Sequence, residues 1–171
     1  ATSAALQMVS TEFPVVLLGA AVDAGKVSLL VSVNPIGQKA GLSARDILAA
    51  ALPAVDGRGG GKADAAQGGG SRPQGVEAAL SAAAVKAAFR AHAQYQRDIA
   101  RLLAQVNLTL WTGSAGDQAA NLFFGFIETA NGQTHFGSAG HLTAIVIRPG
   151  GWESLSQPST ALGAGVAPME P

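Results

Sequence analysis

Residues 56–73 carry the pattern in this chain best suited to chemistry. They read Asp-Gly-Arg-Gly-Gly-Gly-Lys-Ala-Asp-Ala-Ala-Gln-Gly-Gly-Gly-Ser-Arg-Pro, two glycine triplets separated by six residues with Arg58, Lys62 and Arg72 around them. Flexible linkers repeat Gly and Ser without charges at fixed places. Here glycine is expected to take up positive φ, so that consecutive N–H groups converge on an anion while the lysine and arginines supply the charge. The competing reading is a tight connection between helix and core, with glycine needed only for turn geometry. A Walker A loop is excluded, because Ala63 stands where a hydroxyl would have to hold magnesium. The dinucleotide fingerprint fails as well, since no strand clearly precedes Asp56.

The remaining reactive side chains are scattered. His141 beside Gly140 has the residue type for acid–base work. However, the acidic residues of its half, Asp98, Asp117, Glu128, Glu153 and Glu170, show no recurring ligand spacing. Ser138 lies three residues from His141 with no third triad member, so neither catalytic nor metal-ligating residues are assigned and no cofactor is expected. His135 reads as a surface partner in a strand. Arg90, His92, Tyr95, Arg97 and Arg101 form an aromatic and basic surface that reads first as a solvated helix face and second as an extension of an anion-binding one.

Several elements must position these residues. Residues 13–22 and 27–33 are apolar and β-branched around Asp23-Ala24-Gly25-Lys26, the pattern of a β-hairpin. Their continuous apolarity predicts cover on both faces. Ser43 to Asp46 is an N-terminal capping signal, followed by Ile47, Leu48, Leu52 and Val55 at helical spacing, and Pro53 limits that helix. Residues 34–41 link strand to helix and bring Lys39 toward the glycine region. Residues 73–90 are alanine-rich helix with Val76, Leu80, Ala84 and Phe89 on the apolar side. Residues 95–111 repeat a helical pattern through Ile99, Leu102, Leu103, Val106 and Leu110, as one long helix or a bent pair. Strands follow at 122–128, 134–137, 142–148 and 152–155, with Asn131-Gly132 as a hairpin turn and Trp111 and Trp152 as core anchors or rim residues. Residues 112–120 form a small-residue loop, and the tail from 156 onward has no evident partner.

Composition sets outer limits. With 171 residues, 48% of them hydrophobic, the chain can bury a real core as one medium domain or two small ones. Lys plus Arg equals Asp plus Glu at 11 each, so a polyanion site would have to be a local patch. Cysteine is absent, which excludes disulfides and thiol catalysis and fits a reducing compartment, here the cytoplasm. No apolar run approaches the roughly 20 residues of a membrane span. Residues 1–10 lack a basic signal-peptide region, and both ends read as cuts.

The strand pair, SARDILAAALPAVDGRGGGK and the following AQGGG, within about residues 13–84, resemble the C-terminal, DHH-associated, glycine-rich domain of alanyl-tRNA synthetase. That resemblance implies a non-catalytic module holding tRNA or other structured RNA through Arg58, Gly59, Gly60, Gly61, Lys62, Gln67, Gly68, Gly69, Gly70 and Arg72, assisted by Lys39 and Arg45. A second resemblance covers about residues 83–165. AAVKAAFRAHA, ARLLAQVN, LFFGFIE, GQTHFGSAGH and the ALG near Leu162 are similar to an internal piece of bacterial phosphatase 2C-type sporulation and stress-response serine phosphatases. The metal-binding D-G-H-G and T-D-G elements of that family do not occur, and Leu142-Thr143-Ala144 replaces the prolines expected after Ala139-Gly140-His141.

The expected class is therefore α/β (α+β): a β-hairpin or small sheet packed by helices, then a helix pair and a second, mostly antiparallel sheet. Residues 1–82 would form the synthetase-like module and 83–171 the partial phosphatase-like one, sharing the 75–90 helix and one core if the chain is a chimera. A phosphatase fragment and a ligand-free chimeric scaffold are the alternatives to RNA binding. An exposed sheet edge in the second half would favour a homodimer.

Overall fold

The computed structural model describes residues 13–113, 119–155 and 159–164. The expectations for residues 1–10, for the centre of the loop after Gly113 and for most of the tail lie outside the described residues. The chain divides into two compact units, Ala1–Gln94 and Tyr95–Pro171. Both are built from helices and small antiparallel sheets, so the fold is α+β.

In the first unit, β1 (Val16–Asp23) and β2 (Lys26–Val33) form the expected hairpin, turned by Ala24 and Gly25, both at positive φ. Two short helices follow, α1 (Pro35–Lys39) and α2 (Ala44–Ala51), the second capped by Ser43, whose side chain accepts from the Asp46 N–H. Pro53 then sits in a 3-10 turn, Leu52–Val55, that ends on Asp56 at φ 50°. The glycine triplets are strands β3 (Arg58–Gly61) and β4 (Ala65–Gly70), and the sheet order is β1-β2-β4-β3, antiparallel throughout. The long helix α3 (Val76–Ala93) closes the unit after a 3-10 turn at Pro73–Gly75.

Alternation along β2, broken only at Ser32, shows where the core lies. Val27, Leu29, Val31 and Val33 are buried and pack with Leu42, Ala44, Ile47, Leu48, Ala51, Val55, Ala66, Ala79 and Ala83. Among the described residues of this unit, the helices cover only this face. The expectation that apolar strands require cover on both faces is corrected: β1 is apolar on both sides, yet Ala20, Ala21 and Val22 are exposed. The contact stripe of α3 is also different from the expected Val76, Leu80, Ala84 and Phe89. It is Val76, Ala79, Ala83, Ala87 and Ala91, because methyl-sized side chains let the helix lie close to its neighbours.

Buried Asn34 was not singled out by pattern. Its Oδ1 accepts from the N–H groups of Gly37 at 2.8 Å and Val15 at 3.0 Å, and its Nδ2 donates to the Phe13 carbonyl at 2.7 Å. One side chain thus caps α1 and fastens the start of β1.

In the second unit, α4 (Ile99–Gly113) begins where Asp98 Oδ1 accepts from the Arg101 N–H at 3.0 Å, and it buries Leu102, Leu103, Val106 and Leu110 as expected. Residues 94–98 separate it from α3, so the two helices are distinct. Strands β5 (Leu122–Ile127) and β6 (Thr134–Ala139) form one two-stranded sheet, and β7 (Ile145–Arg148) and β8 (Gly151–Ser154) form another, so the second half holds two small antiparallel sheets among the described residues. Gly137 admits α4, since a Cβ there would lie 2.4 Å from Ile99 Cγ2. The tail does have a partner where it is described. Leu162 is fully buried, bridges Ala120 through two 2.9 Å backbone bonds, and Asn107 Oδ1 accepts from the Gly163 N–H at 2.7 Å.

Replacing Asn34 with alanine leaves two backbone N–H groups without their acceptor and is expected to lower unfolding stability by about 1–3 kcal/mol. Urea denaturation of the two proteins measures this; an unchanged midpoint would mean that the cap and the β1 anchor contribute nothing net.

Candidate nucleic-acid interface

Glycine in residues 57–70 serves close approach, not positive φ. None of these glycines has a positive φ, and residues 58–61 and 65–70 are paired strands, not a loop whose amides converge on an anion. A Cβ on Gly59 would stand 2.4 Å from Gly68 Cα and 2.5 Å from the Gln67 carbonyl oxygen. On Gly61 it would meet the Ala65 carbonyl oxygen at 2.4 Å, and on Gly70 the Val55 carbonyl oxygen at 2.2 Å. Gly57 and Gly68 similarly make room for Leu52. Backbone therefore lies where side chains would normally separate neighbouring segments.

The register decides which side chains share a face. Lys62 donates its N–H to Ala65 O at 2.8 Å, and Gly60 pairs with Gln67 and Arg58 with Gly69. With a side-chain period of two, Arg58, Gly60 and Lys62 point to the same side as Gln67 and Gly69. Through β4 the same side continues to Ser28 and Leu30 on β2, with Lys26 at the strand start. This is the face the helices leave uncovered. Arg58, Gly60, Lys62, Gln67, Gly69, Lys26 and Ser28 are all exposed, and the face closes only toward Ser32, which is 6% exposed. Arg58 and Lys62 stand roughly 13 Å apart along β3, from four strand steps. Neither they nor Lys26 has an ion pair among the described residues, although Asp23 pairs across from Lys26 and Asp64 lies in the Lys62 turn.

The other expected cations are placed elsewhere. Arg72 Nε donates to the Ala54 carbonyl at 3.0 Å, and its Nη1 lies 3.8 Å from Asp56 Oδ1, so it clips the 3-10 turn to the end of β4. Arg45 is exposed in the first turn of α2, 3.8 Å from Asp46, next to Ala44, whose N–H donates to Ala63 in the Lys62 turn. Lys39 ends α1, exposed, and Gln94 Nε2 donates to the neighbouring Ala40 carbonyl. Gly59, Gly61, Gly68 and Gly70 face the helix side and supply backbone only. Lys26 was missed by the sequence reading. Its signal, the first residue after a two-residue turn, shows a face only when the register is known.

In the second unit, His135 Nε2 lies 3.3 Å from Glu128 Oε1 and its ring stacks on Phe126 at 4.8 Å, so it is a strand-pair residue. His141 is exposed in the loop after β6. Among the described residues no group of three or more His, Cys, Asp or Glu is placed to share a metal ion, and no helix is long and apolar enough to cross a membrane. Trp152 is not a core anchor: it is 72% exposed.

The family model for the DHHA1 domain matches residues 1–90, and that for Stage II sporulation protein E matches residues 73–170. The chain belongs to both families. Their matches overlap across α3. The alanine–tRNA ligases of Mycobacterium avium and Lacticaseibacillus paracasei are each 48% identical to it, over 68 and 69 residues, and that of Mycobacterium tuberculosis H37Rv is 46% identical over 72. These alignments cover 40–42% of this chain. The chain spans 8% of the length of these curated relatives. Among solved structures, the C-Ala domain of Aquifex aeolicus alanyl-tRNA synthetase aligns with a TM-score of 0.40 and 24% identity, covering 46% of this chain and 68% of that one.

Alanine at Gly59 is expected to cost about 1–3 kcal/mol, because backbone must move to admit the methyl. At Gly60 a Cβ meets nothing within 4 Å, and alanine there is expected to change stability by less than about 0.5 kcal/mol. Denaturant midpoints of the two single variants test this; equal losses would refute the close-approach role.

Proposed function

We propose that the first unit is a non-catalytic RNA-binding module for tRNA or another structured RNA, and that its contact surface is the uncovered face of the four-stranded sheet. Arg58, Lys62 and Lys26 contact phosphate, Gln67 offers hydrogen bonds to sugar or phosphate, and the side-chain-free backbone at Gly60 and Gly69 lets a rigid nucleic acid lie close. One observation carries this reading: the sheet register sets Arg58, Lys62 and Gln67 on one exposed face, within residues 1–90 that the DHHA1 family model matches. Arg45 stands at the rim of that surface. Arg72 and Lys39 have no phosphate-contacting role in it.

The phosphatase-like half is fused to this module through α3, and the chain is a composite of the two families. Residues 1–82 carry the RNA-binding part and 83–171 the incomplete phosphatase-like part. A tRNA partner would place the protein in the cytoplasm.

Titration of labelled tRNA at several salt concentrations tests the proposal. Replacing Arg58 and Lys62 together with alanine is expected to weaken binding at least tenfold at low salt. The slope of log K against log salt should fall by about 1–2, as for two lost phosphate contacts, with the thermal melt nearly unchanged. Arg72→Ala should instead lower the melt and leave the salt slope unchanged. Equal tRNA binding by the double variant and the parent protein would overturn the assignment.

A further inference from the structure

Asn131-Gly132 turns the β5–β6 hairpin, and the same pair carries a chemistry that turning does not use. The backbone nitrogen of a residue after asparagine can attack the asparagine Cγ, and glycine shields that nitrogen least. Of the chain's asparagines, Asn34, Asn107, Asn121 and Asn131, only Asn131 precedes glycine. Both residues of the pair are exposed, and a Cβ on Gly132 would meet nothing within 4 Å, so bulk does not protect the bond.

Hydrogen bonds protect it. The Gly132 N–H donates to the Glu128 carbonyl at 2.8 Å, and Asn131 Nδ2 donates to Glu128 Oε2 at 2.8 Å. Asn131 Oδ1 accepts from the Gln133 N–H at 2.9 Å. The Glu128 N–H closes the turn on the Gln133 carbonyl at 2.8 Å, next to the last pair of the ladder, Ile127 with Thr134. Taken alone, the bond to Oδ1 draws electrons from Cγ and favours attack. The two bonds to Glu128 oppose it, because attack needs the Gly132 nitrogen stripped of its proton and Nδ2 free to depart. One of these acceptors is a carboxylate, which makes it the stronger kind.

We propose that Asn131 is a latent deamidation site guarded by Glu128, converted when the β5–β6 turn opens. The deprotonated Gly132 nitrogen gives its electron pair to Asn131 Cγ, the Cγ–Nδ2 bond breaks, and Nδ2 leaves as ammonia. The proton lost by Gly132 is matched by the proton gained by the leaving nitrogen. One water then opens the cyclic imide at either of its carbonyls, giving aspartate or isoaspartate. Nothing is oxidised or reduced.

The product does not fit the turn it came from. A carboxylate at position 131 has no donor for Glu128 and sets a second negative charge where 2.8 Å now separates donor from acceptor. Isoaspartate also adds a methylene to the main chain, beside strands held in register from Leu122 with Ala139 to Ile127 with Thr134. Each conversion therefore records an opening of the hairpin and leaves it looser than before. The site lies in the second unit and stands independently of the RNA-binding role.

Incubation of the full chain, folded and in guanidinium chloride, followed by intact mass and peptide mapping tests the proposal. Mass separates amide-to-acid conversion at 131 from isomerisation at Asp56-Gly57, which leaves the mass unchanged. The folded chain is expected to convert at 131 at least tenfold more slowly than the unfolded one, since the rate follows the open fraction of the turn. Glu128→Ala is expected to raise the folded-state rate at least threefold; if it does not fold, Glu128→Gln, which removes the charge and keeps the length, is measured with the same expectation. Asn131→Asp reproduces one product, and amide exchange at Glu128 and Gly132 is expected to be at least threefold faster in it than in the parent. Equal conversion rates in the folded and unfolded chain overturn the proposal without recourse to any variant. A folded Glu128 variant that converts no faster than the parent removes the guard, and unchanged exchange in Asn131→Asp removes the loosened hairpin.

Discussion

Close backbone approach in the glycine hairpin is the constraint on which the first unit depends. The Val55 carbonyl sits where a Gly70 side chain would be, and Gly68 Cα where a Gly59 side chain would be. This lets β4 lie against the 3-10 turn and lets β3 lie against β4, which places Arg58 and Lys62 at an edge. Larger residues would push the hairpin off the helices and expose Val55 and Leu48, both fully buried. The alternate glycines, Gly60 and Gly69, lie on the uncovered face and leave space there beside Arg58, Lys62 and Gln67.

The sheet is thereby divided between two physical roles. Its covered face excludes water through valines and leucines of β2 against small residues of α2 and α3. Its uncovered face has polar and cationic groups separated by glycine. Hydrophobic burial holds the unit together without using any residue of the polar face, so charges there can change with little effect on stability. Arg72 shows the converse. It lies in the same glycine-rich segment, but its bond to the Ala54 carbonyl makes it part of the framework.

Elements with a local cause were legible in the chain. Ser43 caps a helix because its hydroxyl meets an amide three residues on, and Asn131-Gly132 turns a hairpin because Gly132 takes φ 72°. The stripe of α4 from Leu102 to Leu110 followed from helical period alone. The stripe of α3 did not, because alanine occupies nearly every turn and periodicity has little contrast there. Asn107 and Asn34 were missed for another reason. Each is a polar residue made buriable by a backbone partner distant in sequence.

By itself, the sequence determined the element order, the α+β class and the presence of two family segments, because each rests on local periodicity, turn chemistry or residue identity. It also pointed to the glycine stretch as the place to look. Only the tertiary structure decided what that stretch is. A run of glycine with flanking cations fits an anion-binding loop or a paired strand equally well, and the difference lies in whether β2 offers a ladder to join. Once β4 pairs with β2, alternate residues are forced to opposite faces. Arg58, Lys62 and Lys26 then share one surface while Arg72 turns to the framework, an outcome set by register and not by spacing along the chain.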